Sequence, residues 1–218
     1  MRILITGATG LVGQGVLREC LRDPAVTQVV ALGRRPSGQT HSKLTELLCA
    51  DFADLSAIQD QLQPFDACLY CAGAPPLGTA EATYRQITLD LTLHVASTLA
   101  GLNPALVFVY ISGAHSDPSS RLMPLRIKGE TELALQALPI RTVMLRPGGI
   151  QPVQGVRSPH SAMAAVHAVA GPFMGLGVRL LPGLMTTTER VGRAMLAVLG
   201  QQPLPAVVEN AQINQLGG

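Results

Sequence analysis

Residues 3–20 read ILITGATGLVGQGVLREC: a short apolar run, a turn with glycines at 7, 10 and 13, and then a helical pattern. Glycine is required at such a turn because a side chain would block three things. These are the tight reversal itself, the approach of the backbone to a pyrophosphate, and the close packing of the following helix on the strand. The first amides of that helix face the phosphates with the positive end of its dipole. With the strand before and the helix after it, the segment Gly7, Thr9, Gly10, Leu11, Val12 and Gly13 is expected to hold a dinucleotide. The spacing is GxxGxxG rather than the GxGxxG of most dehydrogenases.

Outward from this turn, short β-like runs alternate with helix-length segments. Strands are expected at 2–5, 28–32, 46–50, 67–71, 106–111 and 142–145, with helical patterns at 11–22, 54–62, 80–100 and 119–137. Such alternation builds βαβ units. The expected fold is therefore α/β: a three-layer, doubly wound, mainly parallel sheet of the Rossmann type, with ligands at the carboxyl ends of the strands. After Pro147 the rhythm changes to a Gly/Pro-rich stretch, a helix-like segment from Ser161, a helix from Thr188 and a short strand at 206–208. The 218 residues are expected to form one domain, with 151–185 as a small substrate-side insertion or extension.

The second strand ends in ALGRRP, where no Asp or Glu stands to bind a ribose 2′-hydroxyl. Arg34 and Arg35 instead offer guanidinium forks suited to a 2′-phosphate, so NADP is expected in preference to NAD, with NAD as the alternative. A net charge of +2 with dispersed basic residues excludes a nucleic-acid partner. The most apolar stretch, 161–185, is broken by His167, Pro172, Arg179 and Pro182, unlike a membrane span. The start MRILITG enters a strand directly without a signal-peptide pattern, so a cytoplasmic location is expected. Cys68 and Cys71 form a CxxC, but on a strand residues three apart face opposite sides, which makes them core residues rather than a redox or zinc pair. The five histidines show no ligand spacing, and no metal site is expected.

Taken together, TGATGLVG, GRRP, CADFADL, CAGAP, FVYISGAHSDPSS, LRIKGETE, LRPGGI and TTTERVGRAMLAVL resemble, in order and spacing, the atypical short-chain dehydrogenase/reductase superfamily. The particular likeness is to its small epimerase-like members, the Tat-interacting oxidoreductase group. The resemblance implies that Asp51 and Phe52 flank the adenine. It further implies that Cys71, Ala72, Gly73 and Ala74 pass beside the adenosine ribose and phosphates, and that Pro147 and Gly148 border the nicotinamide.

Family members that reduce carbonyls use a Ser, a Tyr as proton donor and a Lys four residues after the Tyr. Ser112 and Lys128 match, and are the candidate catalytic pair as well as cofactor contacts, but the position four before Lys128 is Pro124. No tyrosine–lysine pair in the chain has the required spacing. Three readings stay open: a reductase, dehydrogenase or epimerase whose proton comes from His115 or Ser116; a dinucleotide-binding sensor without turnover; and a scaffold. The expected partners are a dinucleotide and a weakly polar small molecule, with the chain a monomer or homodimer.

Overall fold

The computed structural model describes residues 1–156, 177, 181 and 183–218. Seven parallel strands form the main sheet: β1 (Arg2–Thr6), β2 (Gln28–Gly33), β3 (Leu44–Leu48), β4 (Ala67–Tyr70), β5 (Val107–Ile111), β6 (Arg141–Arg146) and β9 (Val207–Glu209). Their order is β3-β2-β1-β4-β5-β6-β9, the doubly wound arrangement expected. The order reverses between β1 and β4, which opens a crevice above their carboxyl ends. Two short strands beyond the sequence expectation, β7 (Gly149–Gln151) and β8 (Met185–Thr187), pair in parallel beside the sheet.

Strand alternation divides the core into two layers. Ile3, Ile5, Val29, Ala31, Leu69, Val109 and Val143 point to one side; Leu4, Val30, Leu32, Tyr70, Phe108, Tyr110 and Met144 point to the other. The strands are apolar on both faces because helices cover both. The first face is closed by α1 (Leu11–Arg22) and α5 (Thr188–Ala197), and by α6 (Asn210–Leu216) through Ile213. The second is closed by α3 (Leu91–Leu102) and α4 (Met123–Gln136). Each large side chain so buried contributes roughly 1.5–3 kcal/mol relative to exposure.

Cys68 lies in the second layer and Cys71 packs against the first, so the two thiols stand on opposite faces of the sheet. Burial raises both thiols above their ordinary range.

Several boundaries differ from expectation. The segment 54–62 is a 3₁₀ helix, Ser56–Gln61, that buries Leu55, Ile58 and Leu62. Helix α4 starts at Met123 rather than 119 because Asp117 and Ser120 turn the preceding chain, accepting from the Ser119 and Leu122 amides. The helix expected at 80–100 is α2 (Glu81–Arg85), a π-helical turn (Gln86–Asp90) and then α3. The helix expected from Ser161 and most of the 151–185 insertion lie outside the described residues.

Candidate dinucleotide cleft

A cleft of about 620 Å³ lies over the carboxyl ends of β1, β2 and β4, at the switch point. Gly7 begins its floor with φ +69°, a conformation that favours glycine, and a Cβ there would stand 2.5 Å from the Cys71 carbonyl carbon and 2.6 Å from the Ala72 amide. The Gly10 amide donates to the Gly7 carbonyl (2.9 Å), which closes the turn. Gly10 then caps α1 with no side-chain acceptor, and no acid occupies the helix's first turn. The first amides of α1 therefore meet the cleft without a competing carboxylate, which suits an anion. A Cβ on Gly13 would fall onto the Gly7 carbonyl oxygen and 2.6 Å from its carbon, so this glycine lets the helix close on the turn. These features fit a pyrophosphate-bearing ligand.

Of the residues singled out from sequence, Gly7, Thr9, Gly10, Arg34, Arg35, Asp51, Phe52, Cys71, Ala72, Gly73 and Ala74 line this one cleft. Arg34 and Arg35 are exposed at the end of β2. Glu46, on the neighbouring strand, also lines the cleft, but its carboxylate accepts from the amide and hydroxyl of Ser37 and so braces the arginine loop. Asp51 turns the chain locally by accepting from the Ala53 amide (2.9 Å), beside Phe52.

Leu11, Val12 and Gly13 sit in the first turn of α1, behind the glycine turn rather than in the cleft lining. Ser112, Lys128, Pro147 and Gly148 are likewise absent from that lining; they gather past the ends of β5 and β6. The Pro147 carbonyl accepts from the Ala114 amide (2.9 Å), and the Gly148 amide donates to the Asn210 Oδ1 (2.8 Å). Lys128 does not reach into the cleft: its Nζ donates to the main-chain oxygens of Ser112 (2.7 Å) and Ile111 (3.2 Å) and lies 5.6 Å from the centre of the Tyr110 ring. Burial lowers this ammonium to about 8. Ser112 Oγ stands 3.0 Å from Ser116 Oγ, which itself donates to the Gly113 carbonyl (2.7 Å). His115 is exposed at φ +62°.

All three tyrosines are buried, and burial raises each phenol; Tyr70, under the cleft floor, is pushed up to about 12. Pro124 occupies the first turn of α4, where a missing amide is tolerated but no proton can be offered.

Sequence reasoning missed the far wall. Thr83, Ile87 and Leu91 line the cleft from the α2–α3 helix, while Val95 and Leu99, which continue from Ile87 and Leu91 as an apolar stripe at spacing four, enter the core. The π-helical turn at Gln86–Asp90 lies within this stripe. The signal was a run at spacing four, which does not itself say which members face a ligand.

The model of the NAD dependent epimerase/dehydratase family matches residues 3–130. A protein of Emericella nidulans, "Protein fmp52, mitochondrial", is 30% identical over 198 residues, covering 88% of this chain and 84% of the relative. The protein of that name in Saccharomyces cerevisiae is 31% identical over 163 residues, covering 72% and 68%. Among solved structures, a UDP-glucuronic acid 4-epimerase from Bacillus cereus in complex with NAD superposes with a TM-score of 0.68 at 17% identity, covering 95% of this chain and 76% of that one. The Bordetella bronchiseptica enzyme WbmH in complex with NAD⁺ superposes with a TM-score of 0.67 at 16% identity, covering 91% and 71%.

The relatives correct one expectation: the cytoplasmic location inferred from the N-terminal residues is overturned, since the fungal proteins matched bear mitochondrial names. A start without a secretory pattern addresses secretion alone. Among the described residues no helix is long and apolar enough to cross a membrane. On the match over residues 3–130 and the similarity along most of its length, the chain belongs to the NAD-dependent epimerase/dehydratase family.

Proposed function

We propose that the chain binds NADP(H) in the switch-point cleft and acts as an oxidoreductase on a weakly polar small molecule. The observation that carries the cofactor reading is the end of β2, where two exposed guanidinium groups line the cleft and the carboxylate of Glu46, on the neighbouring strand, is engaged by Ser37. Gly7, Thr9 and Gly10 shape the turn that brings the first amides of α1 to the pyrophosphate, Arg34 and Arg35 take the 2′-phosphate, and Asp51, Phe52 and residues 71–74 border the adenosine. Pro147 and Gly148 border the nicotinamide beside Ser112 and Lys128. The dinucleotide, when bound, supplies the hydride chemistry. Residues 150–185 carry no cluster of Arg, Asp or Glu of the kind that clamps a nucleotide sugar, which favours a weakly polar substrate over the nucleotide sugars of the structural neighbours.

A second reading, a dinucleotide-binding sensor or scaffold without turnover, is favoured by Pro124 in place of the family tyrosine and by the Lys128 ammonium bound to its own main chain. Titration with NADPH and NADH, followed by nicotinamide fluorescence, tests the cofactor assignment. The wild-type chain is expected to prefer NADPH, and Arg34→Ala/Arg35→Ala is expected to lose that preference by about tenfold or more, since charge-assisted hydrogen bonds carry roughly 1.5–3 kcal/mol each. Equal affinity for both nucleotides would refute the NADP assignment. A search of carbonyl compounds for NADPH oxidation then separates enzyme from sensor.

A further inference from the structure

We propose that Glu46 is the positioning residue that sets the preference for NADP(H) over NAD(H), by holding the Arg34–Arg35 loop to the sheet through Ser37. The inference rests on the reading of the two arginines as the 2′-phosphate site and adds to it the group that places them.

A carboxylate in the lining of a phosphate site is unexpected, because like charges repel. Glu46 nonetheless lines the cleft together with Arg34 and Arg35. It stands on the edge strand β3, paired in register with Ala31 of β2. Paired residues share a face of the sheet, and Ala31 packs in the layer closed by α1, so Glu46 lies on the α1 face. Two residues further along, Leu48 pairs with Gly33 and β2 ends. The carboxylate therefore stands one pleat back from the point where the arginine loop leaves the sheet.

The loop is shaped by its own residues. Gly33 lets the chain fold back on the strand end, where a Cβ would stand 3.1 Å from the Arg35 carbonyl oxygen. Gly38 reverses it at φ +76°, a conformation that favours glycine, and the Gln39 amide donates to Ser37 Oγ (3.2 Å). None of these contacts joins the loop to the body of the protein. Among the described residues, the hydrogen bonds that tie 34–39 to another element are the two from Ser37 to Glu46. The Ser37 amide (3.0 Å) and the Ser37 hydroxyl both donate to Oε1 of that carboxylate.

This anchor decides what the arginines can do. Both are exposed, and long exposed side chains on an unfixed backbone lose much freedom when they close on a ligand. A backbone tied at Ser37 has met part of that cost on folding, so the guanidinium forks are preorganised for a 2′-phosphate. NAD(H) has no 2′-phosphate and makes no use of the fork. Loss of the anchor should therefore weaken NADPH and leave NADH nearly unchanged, whereas a residue that merely supports β3 would move both nucleotides alike.

The test is the ratio of NADPH to NADH affinity, read by nicotinamide fluorescence on the full chain, with Tm by circular dichroism alongside. Glu46→Ala is expected to lower the ratio by about tenfold or more, through NADPH, since each of the two hydrogen bonds it removes is made to a charged group. Glu46→Gln keeps an acceptor for both Ser37 donors and is expected to hold the ratio within about threefold of wild type. Ser37→Ala, which keeps the amide and loses the hydroxyl, should fall between Glu46→Ala and wild type.

A ratio unchanged or raised in Glu46→Ala, an equal loss of both nucleotides, or a fall in Glu46→Gln as deep as in Glu46→Ala would overturn this proposal alone, provided that Arg34→Ala/Arg35→Ala lowers the ratio. A wild-type chain without preference for NADPH, or an arginine variant that keeps that preference, would instead overturn the cofactor reading, and this proposal with it.

Discussion

The three glycines of the turn, although equally spaced, are expected to respond differently to alanine. At Gly13 the added methyl meets backbone: it falls onto the Gly7 carbonyl oxygen, 2.6 Å from the Gly7 carbon and 3.0 Å from the Ala8 Cα. No side chain can rotate away, so α1 must lift from β1, at the upper end of the roughly 1–3 kcal/mol that overpacking costs. At Gly7 the methyl meets the Cys71–Ala72 peptide at 2.5–2.6 Å and also forces an L side chain into φ +69°, adding roughly 1 kcal/mol. At Gly10 the backbone is extended (φ −79°), and the methyl meets only the Gly7 oxygen, at 3.2 Å. Folding should therefore lose about 1 kcal/mol or less there, the cost of an alanine N-cap, while the methyl stands over the amides offered to the pyrophosphate. At about 2–4 °C per kcal/mol for a chain of this size, Gly7→Ala and Gly13→Ala should lower Tm by about 6–12 °C. Gly10→Ala should lower it by about 4 °C or less, yet weaken NADPH about tenfold or more. Thermal unfolding by circular dichroism and the fluorescence titration read the two effects separately. If Gly10→Ala bound NADPH as tightly as wild type, the α1 N-terminus would not be the phosphate site.

Arg146→Met should be strongly destabilising, by about 3–5 kcal/mol in urea unfolding, because it strands the Glu132 carboxylate, whose side chain is only 4% exposed; adding Glu132→Met should recover much of the loss. Of the four thiols, Cys20, Cys68 and Cys71 are raised by burial, the first to about 12, so iodoacetamide at neutral pH should label the half-buried Cys49 first, Cys71 of the cleft lining more slowly, and the buried Cys20 and Cys68 only on unfolding, as mass spectrometry would read. Lys128 also makes stability depend on pH. Between about 8 and 10.5 the unfolded chain keeps a proton that the folded chain has shed, so this group adds stability as pH rises through that window, by at most about 3 kcal/mol. The buried thiols act in the opposite sense, so the readout is the unfolding free energy of wild type minus that of Lys128→Met in urea, which should rise from about pH 7 to about pH 10.

The fold was legible because its instructions are local. Alternation at β1 and β2 and the glycine turn specify a strand–turn–helix whatever the rest of the chain does. The edge strand β3 was misplaced by two residues: its outer face is half open, leaving Leu48 exposed, and its position is set by pairing Leu44 with Val29 rather than by its own pattern. The C-terminal helix α6 was missed although Glu209 and Gln212 form a capping box, because the helix is short and its anchor is long-range, Asn210 reaching Gly148 and Met185. The cleft lining at the ends of β1, β2 and β4 was legible for the reason the fold was, being made of strand ends and glycines. The far wall was not, since the π-helical turn that falls between Ile87 and Leu91 depends on packing that periodicity does not express.

The two ends of the candidate site are built from different materials, and this bears on how the family's chemistry can change. The phosphate end is backbone: Gly7 and Gly13 are fixed by contacts that the fold itself requires, so the shape of the turn cannot be lost without cost to folding. The reacting end is side chains on a loop and on the first turns of α4, where a tyrosine-to-proline difference is structurally inexpensive because proline is tolerated at a helix start. A chain can therefore keep its dinucleotide cleft while its proton donor is replaced or lost. Dinucleotide binding alone thus cannot distinguish a reductase from a sensor. The distinguishing quantity is turnover: oxidation of NADPH by a carbonyl compound marks an enzyme, whereas tight binding without it marks a sensor in which Lys128 only secures the carbonyls of Ile111 and Ser112.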